Sequence, residues 1–286
     1  MANEEVSITS LSPVLGAEVR GLDVAEPLTA SRKNEIVSAY RHYHLLVFRD
    51  QKLGKPAQIA FSRQLGEFEL PVNKDYLGAD YPELHVVNNL GPSGQPQSLE
   101  DIENKGNYFW HTDASYMKRP SSTTLLYAVT LPKSGGDTMF ANLVAAYQAL
   151  PASTKEGIEK LRVVHSWEQS RINSNSRPAT EEEKRKAPPV AHPLVRTHPE
   201  TGERSLYLGN HTSHAEGMPI EDGRKLLADL LEHATQPQFV YRHRWRPGDL
   251  VMWDNRCLVH KATADFDMAN EPRILHRTVL QGTVPV

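Results

Sequence analysis

The chain has 286 residues, of which 23% are charged and 39% hydrophobic, with a formal net charge of -3. That length can bury a sizeable core, and the near-balanced charge gives no reason to expect nucleic acid or an anionic membrane as partner. No apolar run approaches the ~20 residues of a membrane span, the first five residues lack the basic and apolar regions of a signal peptide, and the single Cys257 excludes an intramolecular disulfide and fits a reducing cytoplasm.

In chain order, Val6 to Val24 reads as short strands with turns at Gly16 and Gly21. Thr29 offers an N-cap for a helix through Ile36, Val37 and Tyr40. Leu45-Leu46-Val47-Phe48 is a compact apolar run, read as a buried strand, and Ala57 to Leu65 has helical spacing. Pro71 to Pro96 has no clear period and reads as a loop over a site. Thr123 to Val129 and Thr138-Met139-Phe140 read as strands on either side of the Ser134-Gly135-Gly136-Asp137 turn. Two helices follow, the second from Ser153, whose pairing with Glu156 forms a capping-box pattern.

Arg162 to Trp167 is β-like, and Ser170 to Pro189, with a dense charge run from Thr180 to Lys186, reads as a solvated loop. His192 to Leu208 has the form of a hairpin turning at Pro199-Glu200-Thr201-Gly202. Leu226, Leu227, Leu230, Leu231 and Ala234 make one helix stripe, and strands are expected at Phe239 to Trp245, Leu250 to Trp253 and Arg273 to Gln281. Many short strands with few helices point to a mainly β fold with flanking helices, a jelly roll, as a single domain over 1–286.

The chemistry centres on Trp110-His111-Thr112-Asp113. On a strand, His111 and Asp113 would share a face and could grip one divalent metal, with His260 as the candidate third ligand. Two histidines and a carboxylate on one side of a metal leave the other positions open, as in non-haem Fe(II) oxygenases. The remaining histidines have plainer readings. His42, His44, His165 and His243 are expected to be hydrogen-bonded structural residues, and His198 a solvated turn residue. Cys257, beside Leu258 and Val259, reads as a buried, inert thiol. Arg273 and Arg277 lie four apart on one expected strand, facing one way into a shared cavity and requiring anionic partners. The alternative is pairing with Asp265, Asp267 or Glu271 at the surface.

Four segments together resemble the taurine dioxygenase and chlorophenoxyacetate dioxygenase family of Fe(II)/2-oxoglutarate-dependent oxygenases. They are Trp110-His111-Thr112-Asp113, Ser134-Gly135-Gly136-Asp137-Thr138, Trp253-Asp254-Asn255-Arg256 with His260, and Arg273-Ile274-Leu275-His276-Arg277. The resemblance runs from Leu15 to about Gly282 and is nearer the chlorophenoxyacetate branch from His192 to Asn255. It implies a double-stranded β-helix with His111, Asp113 and His260 as iron ligands. It further implies Thr138 and Arg273 on the distal carboxylate of 2-oxoglutarate, and Arg277 and Asn107 toward the substrate. The chain departs from the pattern in two places. The loop between His260 and Arg273 is about two residues longer, and Leu70-Pro71-Val72-Asn73 lacks the taurine branch's substrate-contacting His and Tyr. Lys74 reads as a solvated lysine.

The resulting expectation is a dioxygenase that uses Fe(II), 2-oxoglutarate and O2 to hydroxylate a small organic anion, of phenoxyalkanoate, aryl carboxylate or sulfonate type. It would release succinate and CO2, and it could be a homo-oligomer. A zinc hydrolase, or a jelly-roll binding protein without catalysis, is the alternative.

Overall fold

The structure is a computed structural model, and it describes residues 6–69 and 80–286. Leu70 to Asn73, Lys74 and the first part of the expected loop from Pro71 lie outside the described residues.

Two packed sheets carry the fold. The larger orders its strands Ser7–Ser10, Ala17–Arg20, Leu45–Phe48, Leu250–Asp254, Ser121–Thr130, Ile274–Gln281 and Leu84–Asn88. Neighbours are antiparallel except Ala17–Arg20 beside Leu45–Phe48. The smaller sheet centres on Thr138–Asn142, flanked by Val240–His243 and Leu258–Ala262.

The apolar run at Leu45–Phe48 follows from burial on both faces of the larger sheet. Leu45 and Val47 face the smaller sheet, where they join Phe140, Val251, Trp253, Leu258 and Leu275. Leu46 and Phe48, one pleat over, pack with Leu250, Met252, Ile36 and Phe61 under the helices Ala30–Tyr43 and Lys55–Leu65. Trp253 is fully buried with its ring 5.3 Å from that of Phe140, so truncating it to alanine would cost about 3–5 kcal/mol. A third cluster covers the far side of the smaller sheet with the helices Leu143–Gln148 and Ile220–Ala234. This is a jelly roll, mainly β with flanking helices. Among the described residues no helix is long and apolar enough to cross a membrane.

Several local expectations hold. Thr29 caps its helix by accepting from the Arg32 amide, and Cys257 is buried, its thiol pushed up by burial. Others need correction. Leu84–Asn88, inside the expected loop, is an edge strand ordered by pairing with Ile274–Thr278. Ser153 is not a cap, because Pro151, with φ near -56°, starts that helix earlier, at Ala152–Ile158.

The expected loop from Ser170 to Pro189 instead holds the end of one helix, Trp167–Asn173, which also takes in the last residue of the expected β-like segment, and the whole of a second, Glu181–Lys186. The second has the real capping box, Thr180 with Glu183, plus acids in its first turn and bases in its last, an arrangement that suits the helix dipole. Glu183 is buried and held by the Arg177 guanidinium through two bonds, at 2.7 and 3.0 Å. His198 is not solvated. It is buried, with Nε2 3.0 Å from Asp254 Oδ2. His243 bonds Asp249 as expected, but among the described residues neither ring nitrogen of buried His165 has a hydrogen-bond partner.

Candidate metal centre and co-substrate pocket

His111 and Asp113 do not sit in a regular strand. His111 makes a single antiparallel bridge to His260, with N–H···O bonds of 3.0 and 2.8 Å in both directions. The chain then turns through Ala114, whose φ is 51°. The bridge puts the two imidazoles 4.2 Å apart, and the turn swings Asp113 against both. One ligand atom from each of His111, Asp113 and His260 lies within 4.8 Å of the others, and all three residues are buried.

The ring orientations suit a cation. His111 Nδ1 donates to the Phe109 carbonyl at 2.8 Å, which leaves the Nε2 lone pair facing Asp113. His260 also turns Nε2 toward Asp113, at 3.9 Å from Oδ2. Burial lowers both imidazoles, so they are neutral at pH 7. Burial alone would raise the Asp113 carboxyl, but the Arg277 guanidinium foremost, with the hydrogen bond from Thr124, outweighs it and holds the group well below the usual carboxylate range. Two neutral imidazoles and an ionised carboxylate, converging and buried, fit a divalent metal with open positions.

Asn255 holds this arrangement. Its Oδ1 accepts from the Asp113 amide at 3.3 Å and from Trp253 Nε1 at 3.1 Å. Its Nδ2 donates to Thr124 Oγ1 at 2.8 Å, and that hydroxyl must then donate onward to Asp113 Oδ2, at 2.6 Å. Its main-chain carbonyl takes the Thr112 hydroxyl at 2.7 Å. Neither Asn255 nor Thr124 stood out as functional in the sequence. The available signal was the position of Asn255 inside a resembling segment.

Arg273 and Arg277 occupy different surroundings. Arg273 is buried, donating from Nε to the Gly136 carbonyl at 2.6 Å and from Nη2 to Thr138 Oγ1 at 3.3 Å. It makes no ion pair among the described residues, so the surface pairing with Asp265, Asp267 or Glu271 does not occur. Thr138 Oγ1 also accepts from Trp245 Nε1 at 3.1 Å. A buried guanidinium beside a hydroxyl, with no carboxylate of its own, fits the carboxylate of a bound dianion.

Arg277 places Nη1 3.4 Å from Asp113 Oδ1 and donates from Nη2 to His85 Nδ1 at 3.3 Å, so it has an anionic partner inside the protein. Its Nε is buried and has no hydrogen-bond partner among the described residues. A cavity of about 390 Å³ opens beside the converging residues, with His111 and Asp113 in its lining. Arg277 and Asn107 are among its lining residues, and Arg273 and Thr138 are not. Its lining also includes Val86, Ile102, Trp167, His211 and Glu69. Burial lifts the Glu69 carboxyl to about 7 and drops His211 to about 3.

Residues 7–279 match the family model described as taurine catabolism dioxygenase TauD, TfdA family. The chain belongs to the TauD/TfdA family. It is 40% identical, over 96% of its length and 97% of the relative's, to the alpha-ketoglutarate-dependent 2,4-dichlorophenoxyacetate dioxygenase of Cupriavidus pinatubonensis. It is 34% identical to the (S)-phenoxypropionate/alpha-ketoglutarate-dioxygenase of Sphingobium herbicidovorans, over 95% of this chain and 94% of that one. Among solved structures, that of AAD-2 in complex with Mn(II) and N-oxalylglycine superposes with a TM-score of 0.88 at 40% identity. It covers 98% of this chain and 99% of that chain.

Proposed function

We propose that this protein is an Fe(II)- and 2-oxoglutarate-dependent dioxygenase that hydroxylates a small organic anion of the aryloxyalkanoate kind. The observation that carries the reading is the pairing of a buried two-histidine, one-carboxylate cluster with a separate buried arginine that lacks a carboxylate. In this reading His111, Asp113 and His260 hold the metal, and Arg273 with Thr138 binds the distal carboxylate of 2-oxoglutarate. Bound iron, 2-oxoglutarate and O2 supply the oxidant for a C–H bond and release succinate and CO2. Hydroxylation of a carbon that bears an ether oxygen gives a hemiacetal, which collapses and cleaves the ether.

The chain's own task is position. The Arg277 guanidinium is the cation in the cavity nearest the metal ligands, and it attracts the substrate's anionic end. Val86, Ile102 and Trp167 offer an aryl group apolar walls, and Asn107 a polar contact at the rim. The named relatives act on 2,4-dichlorophenoxyacetate and (S)-phenoxypropionate, both aryloxyalkanoates, which supports that class. One catalytic unit over 1–286, in a reducing cytoplasm, agrees with the single buried cysteine. A zinc hydrolase would have no use for a buried Arg273 that makes no ion pair among the described residues.

The test is succinate release with Fe(II) and 2-oxoglutarate across a panel of phenoxyacetates, phenoxypropionates, aryl carboxylates and sulfonates. Substrate-dependent succinate from aryloxyalkanoates supports the reading. Turnover with zinc in the absence of 2-oxoglutarate would sink it.

A further inference from the structure

We propose that Asp265 is a positioning residue for Arg273: through the main chain of Gly136 it fixes where the guanidinium sits, and so sets the affinity for the distal carboxylate of the co-substrate. This rests on the co-substrate role given to Arg273 above. The shortest anchor of that guanidinium is the Gly136 carbonyl, at 2.6 Å from Nε. Arg273 therefore inherits its position from a turn of two glycines. Gly135 and Gly136 have φ of 75° and 65°, consecutive left-handed residues that glycine tolerates but does not enforce. Something outside the turn has to select that conformation.

Asp265 does so from the loop that joins the Leu258–Ala262 strand to Arg273. Its Oδ1 accepts from the Gly136 amide at 3.1 Å and from Thr263 Oγ1 at 2.5 Å. Its Oδ2 accepts from the Arg242 guanidinium, whose Nε donates to Asp137 Oδ2 at 2.7 Å. The Thr263 amide closes the ring onto the Asp137 carbonyl at 2.9 Å. A Cβ on Gly135 would meet the Asp265 carbonyl oxygen at 2.3 Å, so the two main chains touch here with no space for another residue. Gly136 is thus held at its N–H by Asp265 and at its C=O by Arg273.

The Asp265 and Arg242 side chains are 46% and 40% exposed, and ion pairs that exposed contribute little to stability. What the cluster supplies is geometry, since a binding group has to be held to within about 0.5 Å to be effective.

The experiment is a calorimetric titration of the Mn(II)-loaded protein with N-oxalylglycine, for wild type, Asp265→Ala, Arg273→Ala and the double variant. Asp265→Ala is expected to weaken binding by about tenfold, the scale of losing an outer-shell support, with Mn(II) affinity unchanged. Because Asp265 acts through Arg273, the double variant should bind no more weakly than Arg273→Ala alone. Should Asp265→Ala fold poorly, Arg242→Gln carries the same test, with a smaller loss and the same non-additivity, because it leaves the bond to Gly136 in place. Wild-type affinity in these variants, or a loss that adds undiminished to that of Arg273→Ala, overturns the proposal. Unchanged binding in Arg273→Ala would instead refute the co-substrate reading, and the proposal with it.

Discussion

Asn255→Asp swaps one NH2 for one oxygen at a residue only 1% exposed, with almost no change in shape. The acceptor bonds from the Asp113 amide and Trp253 Nε1 can survive it. The donor bond to Thr124 cannot. Thr124 has one hydroxyl hydrogen and would then face two carboxylates, at 2.8 Å and 2.6 Å in the present geometry. Either Asp113 loses its donor or the new carboxylate is left unpaired. A hydrogen bond to a charged group is worth about 1.5–3 kcal/mol, and a second negative charge beside Asp113 adds to the loss. The expected result is metal affinity reduced about 10- to 100-fold, as for other outer-shell partners of a metal ligand.

Asn255→Ala is the harsher change. It leaves two buried donors without an acceptor, at about 1–3 kcal/mol each. At roughly 2–4 °C per kcal/mol, that lowers the melting temperature by about 5–20 °C. Cobalt(II) titration followed by visible absorption, with thermal melts of the metal-free proteins, reads both quantities. If Asn255→Asp binds cobalt as wild type does and melts at the same temperature, the relay from Asn255 through Thr124 to Asp113 does not operate.

Other outcomes follow from the same geometry. His111→Ala, Asp113→Ala and His260→Ala should each abolish iron-dependent turnover, with the far-UV circular dichroism unchanged; normal iron affinity in any one removes that residue from the ligand set. Arg277→Ala should weaken a carboxylate substrate by ~2–5 kcal/mol and leave the matched amide almost unaffected; an unchanged acid-over-amide preference would reduce Arg277 to a brace for Asp113. Glu69 gives a pH signature: its folded value, about 7, lies above the ordinary 4.5, so its stabilising effect is complete below 4.5 and is lost as pH rises to about 7. Melting of wild type against Glu69→Gln between pH 4.5 and 8 should show the variant gaining relative stability across that window, and parallel curves would contradict it.

Legibility in the sequence tracks how local each determinant is. Leu45–Phe48 declares itself because both faces are buried and four apolar residues stand in a row. Leu84–Asn88 was hidden because its order comes from a partner almost two hundred residues away in the chain. Ser153 and Thr180 both head a capping pattern. Only Thr180 caps, because Pro151 had already begun the other helix, and no pattern of residue types tells the two apart. The His-x-Asp pair was visible, but for a different reason from the one its spacing suggests, since a bridge and a turn bring the groups together. His260 stood as a candidate third ligand and Arg273 as one of a same-face strand pair from the residues alone, and the resemblance added their specific roles. Asn255 gains its importance from contacts made in three dimensions, which spacing does not encode.

The bridge between His111 and His260 separates two kinds of change. Because paired amides set the spacing of the two imidazoles, substitutions around them do not widen the grip on the metal. The cavity walls come from other parts of the chain: Ile102 from a loop, Val86 from an edge strand, Trp167 and Glu183 from helices outside the double sheet. Lineages built on this plan can trade one substrate for another by rewriting those walls while the oxidising end stays as it is, and a designer altering the preference of this enzyme should begin at Val86, Ile102 and Trp167.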